Sequence, residues 1–162
     1  MPLFTAGCPF QDVPSSPYKM WEIPLILRTT PLPPSEIVND DDPRIAYHGN
    51  WWRSSNRGFH DYNDDVHQTH SPDDFLEFAF TGIGIDYLAE KDSRLGNADV
   101  YLDGNFQRNV SLRLENFPRF SRVVVFSMHD LKPGGHTIRI ANRNYAGIVV
   151  DAFTVYKTPK EI

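Results

Sequence analysis

Residues 97–106 read NADVYLDGNF. Val100 and Leu102 alternate with Asp99, Tyr101 and Asp103, the period-two pattern of a strand with one buried face. Asp103-Gly104 then supplies the dipeptide that a two-residue hairpin turn demands, because its central residues need positive φ. The stretch predicts a half-buried strand followed by its turn. Outward from it, short apolar runs are separated by Gly, Pro, Asn and Asp at intervals of roughly 8–12 residues, the rhythm of an antiparallel sandwich or barrel. No window of about 11 residues or more keeps a helical period without an intervening Gly, Pro or strand pattern. The expected class is all-β.

The 162 residues suit one domain of ordinary size with an arm, not two domains. A net charge of −5 leaves no basic face for a phosphate backbone, which argues against nucleic acid as a partner. A single cysteine, Cys8, excludes an internal disulfide and a cysteine-built zinc site. No apolar run approaches the roughly 18–20 residues of a spanning helix, and no signal peptide is visible. Asn109-Val110-Ser111 forms a sequon, which carries glycan only in a secreted eukaryotic protein.

Residues 1–34 differ in kind from the rest. Eight of the 13 prolines fall there, favouring extended or polyproline conformations and precluding a long helix. Within this arm, Trp21, Ile23, Leu25, Ile26 and Leu27 form an apolar segment that Pro24 restricts to an edge strand or strap. Residues 35–157 are expected to form the sandwich and 158–162 a tail. Strands are expected at 36–38, at 44–52 ending in aromatics, at 75–80, 84–89, 99–103, 107–114, 122–126 and 136–140, and as one last strand over 148–156. A charged turn is expected over 90–96. The polar run 53–65, RSSNRGFHDYNDD, reads as a long loop of the kind that is often functional.

NDDDPRIAYHGNW, FLEFAFTGIGIDYL, GNADVYLDG, LKPGGHTIRI and IVVDAFTVY, in this order over roughly residues 36–156, resemble successive segments of the galactose-binding-like jelly-roll family. The resemblance implies a jelly-roll β-sandwich of the kind found as carbohydrate-binding modules and in extracellular or cell-surface assemblies. Ligand sites of such modules often lie in loops at one end of the sandwich.

Glycan recognition needs an aromatic face for the ring's C–H patch and planar groups for its hydroxyls. Trp52, Arg57 and Tyr62 in one loop, and Asn142, Asn144 and Tyr145 in another, offer that set. Of the adjacent Trp51 and Trp52, one ring turns inward and one outward, and Trp52 is taken as the outward platform. For a metal, Asp40 and Asp42 in a turn and Asp151 in an apolar strand are oxygen donors for a structural Ca²⁺, although a solvated turn and backbone bonds explain them equally. The histidines show no spacing that gathers three zinc ligands. No GxSxG elbow, HExxH or phosphate-cradling glycine loop is present, and each carboxylate reads as solvated, so no enzyme activity is expected. The expected function is a non-catalytic carbohydrate-binding module whose partner is a glycan or glycoprotein outside the cell. The alternative is a structural subunit of an extracellular oligomer or filament, joined through the arm by strand addition to a neighbouring copy.

Overall fold

A computed structural model describes residues 33–116 and 118–159. The expectations for the arm, including assembly through Trp21, Ile23, Leu25, Ile26 and Leu27, lie outside the described residues, as does most of the tail.

The described residues form twelve strands: β1 (Ser35–Asn39), β2 (Ile45–His48), β3 (Trp52–Ser55), β4 (Asp65–Thr69), β5 (Phe75–Gly82), β6 (Gly84–Lys91), β7 (Asn97–Leu102), β8 (Asn105–Ser111), β9 (Phe120–Met128), β10 (Gly134–Asn142), β11 (Ile148–Val150) and β12 (Ala152–Tyr156). A single 3₁₀ turn at Tyr62–Asp64 is the only helical element among the described residues. All named strand pairs are antiparallel, in a four-stranded sheet β1-β12-β6-β9, a five-stranded sheet β2-β5-β10-β7-β8 and a three-stranded sheet β11-β4-β3. The fold is the expected all-β antiparallel sandwich.

The β7–β8 hairpin turns at Asp103 (φ 50°) and Gly104 (φ 78°), the paired positive values that a type I′ turn requires. Its Val100 and Leu102 point inward beside Ile138 and Ile140 of β10. On β5, Leu76, Phe78 and Phe80 alternate with exposed or half-buried neighbours, which puts one face of the five-stranded sheet into the core. Phe78 meets Phe153 of β12 with ring centroids 5.1 Å apart, and Phe153 meets Tyr87 of β6 at 5.7 Å. These rings join the two large sheets.

Four boundaries differ from expectation. The strand expected over 44–52 breaks after His48, because Gly49 takes a φ of 103° and a Cβ there would collide with the Asp74 carboxylate. β2 therefore belongs to the five-stranded sheet and β3 to the three-stranded one. The polar run 53–65 is a loop only in its middle, since Arg53, Ser54 and Ser55 complete β3 and pair with β4. Glu90 and Lys91 extend β6 instead of turning. The last strand is cut at Asp151: β11 pairs with β4, β12 pairs with β1 and β6, and the chain changes sheet between them.

Candidate functional site

The three-stranded sheet sets up one end of the sandwich. Trp52 and Gln68 are cross-strand partners on β3 and β4, and His70 follows just beyond β4 on the same face. Trp52 is 44% exposed and its ring stacks on the His70 imidazole, with centroids 5.3 Å apart and planes 23° from parallel. Trp51 turns the other way, against Tyr47 at 5.0 Å, and its indole N–H donates to the His48 carbonyl. The two tryptophans thus divide into a packed ring and an outward one.

The turn after β10 delivers Tyr145 to the same place. Its side chain is 83% exposed, and its backbone carbonyl lies 3.4 Å from His70 Nδ1. The position is fixed from below. Asn142 is fully buried and donates to the Ser71 carbonyl, Asn144 Oδ1 accepts from the Ala146 N–H, and Gly147 has a φ of 84° with no room for a Cβ against the Thr69 carbonyl. Asn142 is therefore a scaffold of the loop and offers nothing to a ligand, contrary to expectation. Asn144 is half-buried and also serves the turn.

Beside the stacked pair lies a cleft of about 450 Å³, bounded by Ser54, Asn56, Arg57, Phe59, Gln68, His70, Leu95 and Arg119 among others. Arg57 is buried in its floor. Its Nη2 donates to Glu90 at 2.7 Å, and its Nε faces Asp61 at 3.4 Å. Arg119 reaches Glu90 at 3.2 Å and Asp92 at 3.2 Å, and its guanidinium covers the Phe59 ring at 4.3 Å from the centroid. Burial pushes the Glu90 carboxyl up, and the two guanidinium groups only partly oppose this. The Arg94 hydrogen bonds hold Asp92 well below the usual carboxylate range. Arg57 is thus committed to an internal ion network, and its remaining Nη1 is buried, so it braces the cleft floor and does not offer a free donor to a ligand. Tyr62 stands outside the cleft lining, with the Arg122 guanidinium 6.0 Å from its ring.

A second group of polar side chains is buried where β1, β4 and the β11–β12 break meet. Asp40, Asp61, Asp65 and Asp151 are all nearly or fully buried. Asp65 pairs with Arg53, and Asp40 Oδ2 meets His67 Nδ1 at 2.6 Å. His67 stacks on Tyr47, whose hydroxyl donates to the Asp40 carbonyl at 2.7 Å. The Asp40 N–H donates to the Asp151 carbonyl at 3.2 Å, and Asp151 Oδ1 accepts the Tyr62 N–H at 2.7 Å. Burial pushes the Asp151 carboxyl up to about 7, with Asp61 and Asp40 adding repulsion. Asp40 is raised by burial too.

Asp40 Oδ1, Asp61 Oδ1 and Asp151 Oδ2 are buried with no hydrogen-bond partner, and Asp61 Oδ2 has only the Arg57 ion pair at 3.4 Å, a costly condition that a hard cation would relieve. Among the described residues, however, no three carboxylate, imidazole or thiol groups are spaced to hold one ion as they stand. Asp42 is turned away to Arg44, 2.9 Å distant. Asp61 has no distinguishing sequence signal. Glu90 ends an apolar strand, the one hint that it is buried.

No protein-family model matches the chain. Over 117 residues, 72% of this chain and 10% of the relative, it is 31% identical to the A type blood alpha-D-galactosamine galactosaminidase of Flavonifractor plautii. Over 113 residues, 68% of this chain and 14% of the relative, it is 30% identical to the A type blood N-acetyl-alpha-D-galactosamine deacetylase of the same organism. The chain spans only these small fractions of the curated relatives' length. Among solved structures, a two-domain esterase active on acetylated mannans superposes over 79% of this chain and 38% of its own, with a TM-score of 0.63 at 10% identity. The Agl-KA catalytic domain superposes over 80% of this chain and 28% of its own, with a TM-score of 0.54 at 17% identity. At these identities the likeness is one of fold. The sequence relatives overturn the expectation of no enzyme activity, since both are named as enzymes acting on galactosamine sugars.

Proposed function

We propose that this sandwich is the glycan-recognising domain of a carbohydrate-active enzyme that works outside the cell, and that the sugar docks at the loop end, against Trp52. The observation that carries the reading is the exposed Trp52 ring, stacked on His70, which itself lines an open cleft and lies 3.4 Å from the Tyr145 carbonyl. A rigid aromatic face with hydroxyl-binding groups alongside is what a pyranose requires. Gln68 and Asn56 supply planar donors and acceptors. The named substrates of the two relatives make α-linked galactosamine and N-acetylgalactosamine the first ligands to try.

Isothermal titration of the full chain with A-type oligosaccharides ending in either sugar tests the reading. The expected result is saturable binding that weakens about tenfold or more in Trp52→Ala, as for loss of a central aromatic anchor, and less in Tyr145→Ala. Unchanged affinity in a folded Trp52→Ala variant, or no binding of either glycan, overturns it.

The orphaned oxygens of Asp40, Asp61 and Asp151 support a second element of the reading, a structural Ca²⁺ in the seam below this end. Such an ion would neutralise a crowded set of carboxylates and brace the break at Asp151. A rise in melting temperature on adding millimolar Ca²⁺, reversed by chelator and absent in Asp151→Asn, is the expected result. Identical melting with Ca²⁺ and with chelator overturns it.

A further inference from the structure

The outer face of the five-stranded sheet carries a second constellation, separate from the loop end. Arg139 on β10 stands between Glu77 of β5 and Tyr101 of β7, its cross-strand partners on either side. Its guanidinium lies against the Phe75 ring, 3.6 Å from the centroid, and 6.0 Å from that of Tyr101. Among the described residues it makes no ion pair, and its buried Nε has no hydrogen-bond partner. Of the neighbouring charges, Glu77 faces His48 at 4.0 Å and Arg143 pairs with Asp99 at 3.0 Å. A cleft of about 320 Å³ opens over Arg139, with Tyr101, Thr137, Arg143, Glu77 and Asp73 around it.

A cationic side chain lying against an aromatic ring and making no ion pair is a receptor for a planar anion. Glu77 and Asp73 set the limit on which anion. Two carboxylates at the rim repel a compact, multiply charged ion, but they accept hydrogen bonds from hydroxyl groups. The ligand that satisfies both demands carries one carboxylate on a body rich in hydroxyls. Tyr101, with Phe106 edge-on at 5.5 Å, offers that body a ring to lie on. We propose that this sheet face, with Arg139 at its centre, is a binding site for an acidic sugar of the hexuronate class.

The test is an NMR titration of the isotope-labelled full chain with a hexuronate disaccharide, run beside its carboxyl-reduced neutral twin and beside sodium sulfate. The proposal expects the uronate to shift the Arg139 side-chain N–H and the Tyr101 and Thr137 amides, with neither control doing so. It also expects affinity to fall about tenfold or more in Arg139→Gln and in Arg139→Lys, since lysine keeps the charge but lacks the fork. Trp52→Ala, at the other site, should leave the uronate isotherm unchanged. Equal shifts with the neutral twin or with sulfate, shifts confined to the loop end, or undiminished affinity in a folded Arg139→Gln variant would each overturn it. Because the ligand and the residues differ from those of the loop-end cleft, failure of one site leaves the other standing.

Discussion

Between the four- and five-stranded sheets the buried side chains are Phe78, Ile140, Phe153 and their like, whereas around the three-stranded sheet they include Asp40, Asp61, Asp65, Asp151 and Glu90. The first region is held by removing apolar surface from water, which is tolerant of direction and additive in area. The second is held by pairing each charge with a guanidinium, an imidazole or a backbone N–H, and it fails wherever a partner is missing. The apolar core positions the sheets. The polar seam positions the loop end, and the candidate glycan cleft is built over the seam.

The contrast can be broken from either side. Phe78→Ala should cost the most, about 4 kcal/mol of unfolding free energy by urea denaturation, because the ring is fully buried between β12 and its own sheet. Glu90→Ala should cost about 3 kcal/mol, since it strands the buried Arg57 guanidinium, and it should also disorder the cleft floor. Gly147→Ala should cost about 1–2 kcal/mol from the left-handed backbone and crowding at Thr69, and it should weaken glycan binding by displacing Tyr145. Trp52→Ala should change stability by less than about 0.5 kcal/mol while abolishing most of the binding, because its ring faces water.

The smallest effect sharpens the comparison at the far end of the sandwich. There His136 Nδ1 meets Asp103 at 2.7 Å and Nε2 faces the Lys132 carbonyl, and these bonds raise the imidazole pKa above its ordinary value. The folded state holds that proton more tightly than the unfolded chain, so the contribution is complete below the unfolded pKa and disappears as pH rises through the raised one. A urea midpoint that drifts down across this window, and a flatter profile in Asp103→Asn, are the expected outcomes.

Alternation made the apolar region legible. The β7–β8 hairpin, β5, β6 and the final apolar stretch follow from where Val100, Leu102, Phe78 and Phe153 fall in a period of two, and the turn follows from Asp103-Gly104. The polar region was not legible for the same reason. β3 and β4 carry Arg53, Ser54, Asp65 and His67, and the burial of Asp65 and His67 is made acceptable by Arg53 and Asp40, distant in sequence, so the run reads as a loop until the sheet is closed. Asn142 looked like a ligand-binding amide because nothing local reveals that Ser71 lies against it. Arg57 looked free because Glu90 is 33 residues away. The Trp51–Trp52 choice needed only side-chain direction, and the arrangement of Tyr145 beside Trp52 needed the whole fold.

β1 and β12 run antiparallel with Ser35 opposite Tyr156 and Asn39 opposite Ala152, so the chain enters and leaves the sandwich side by side. A pull applied through those two points loads the Ser35–Tyr156 end of the ladder first and opens its bonds one after another, like a zipper, instead of shearing them all together. The domain should therefore yield at low force and re-form readily.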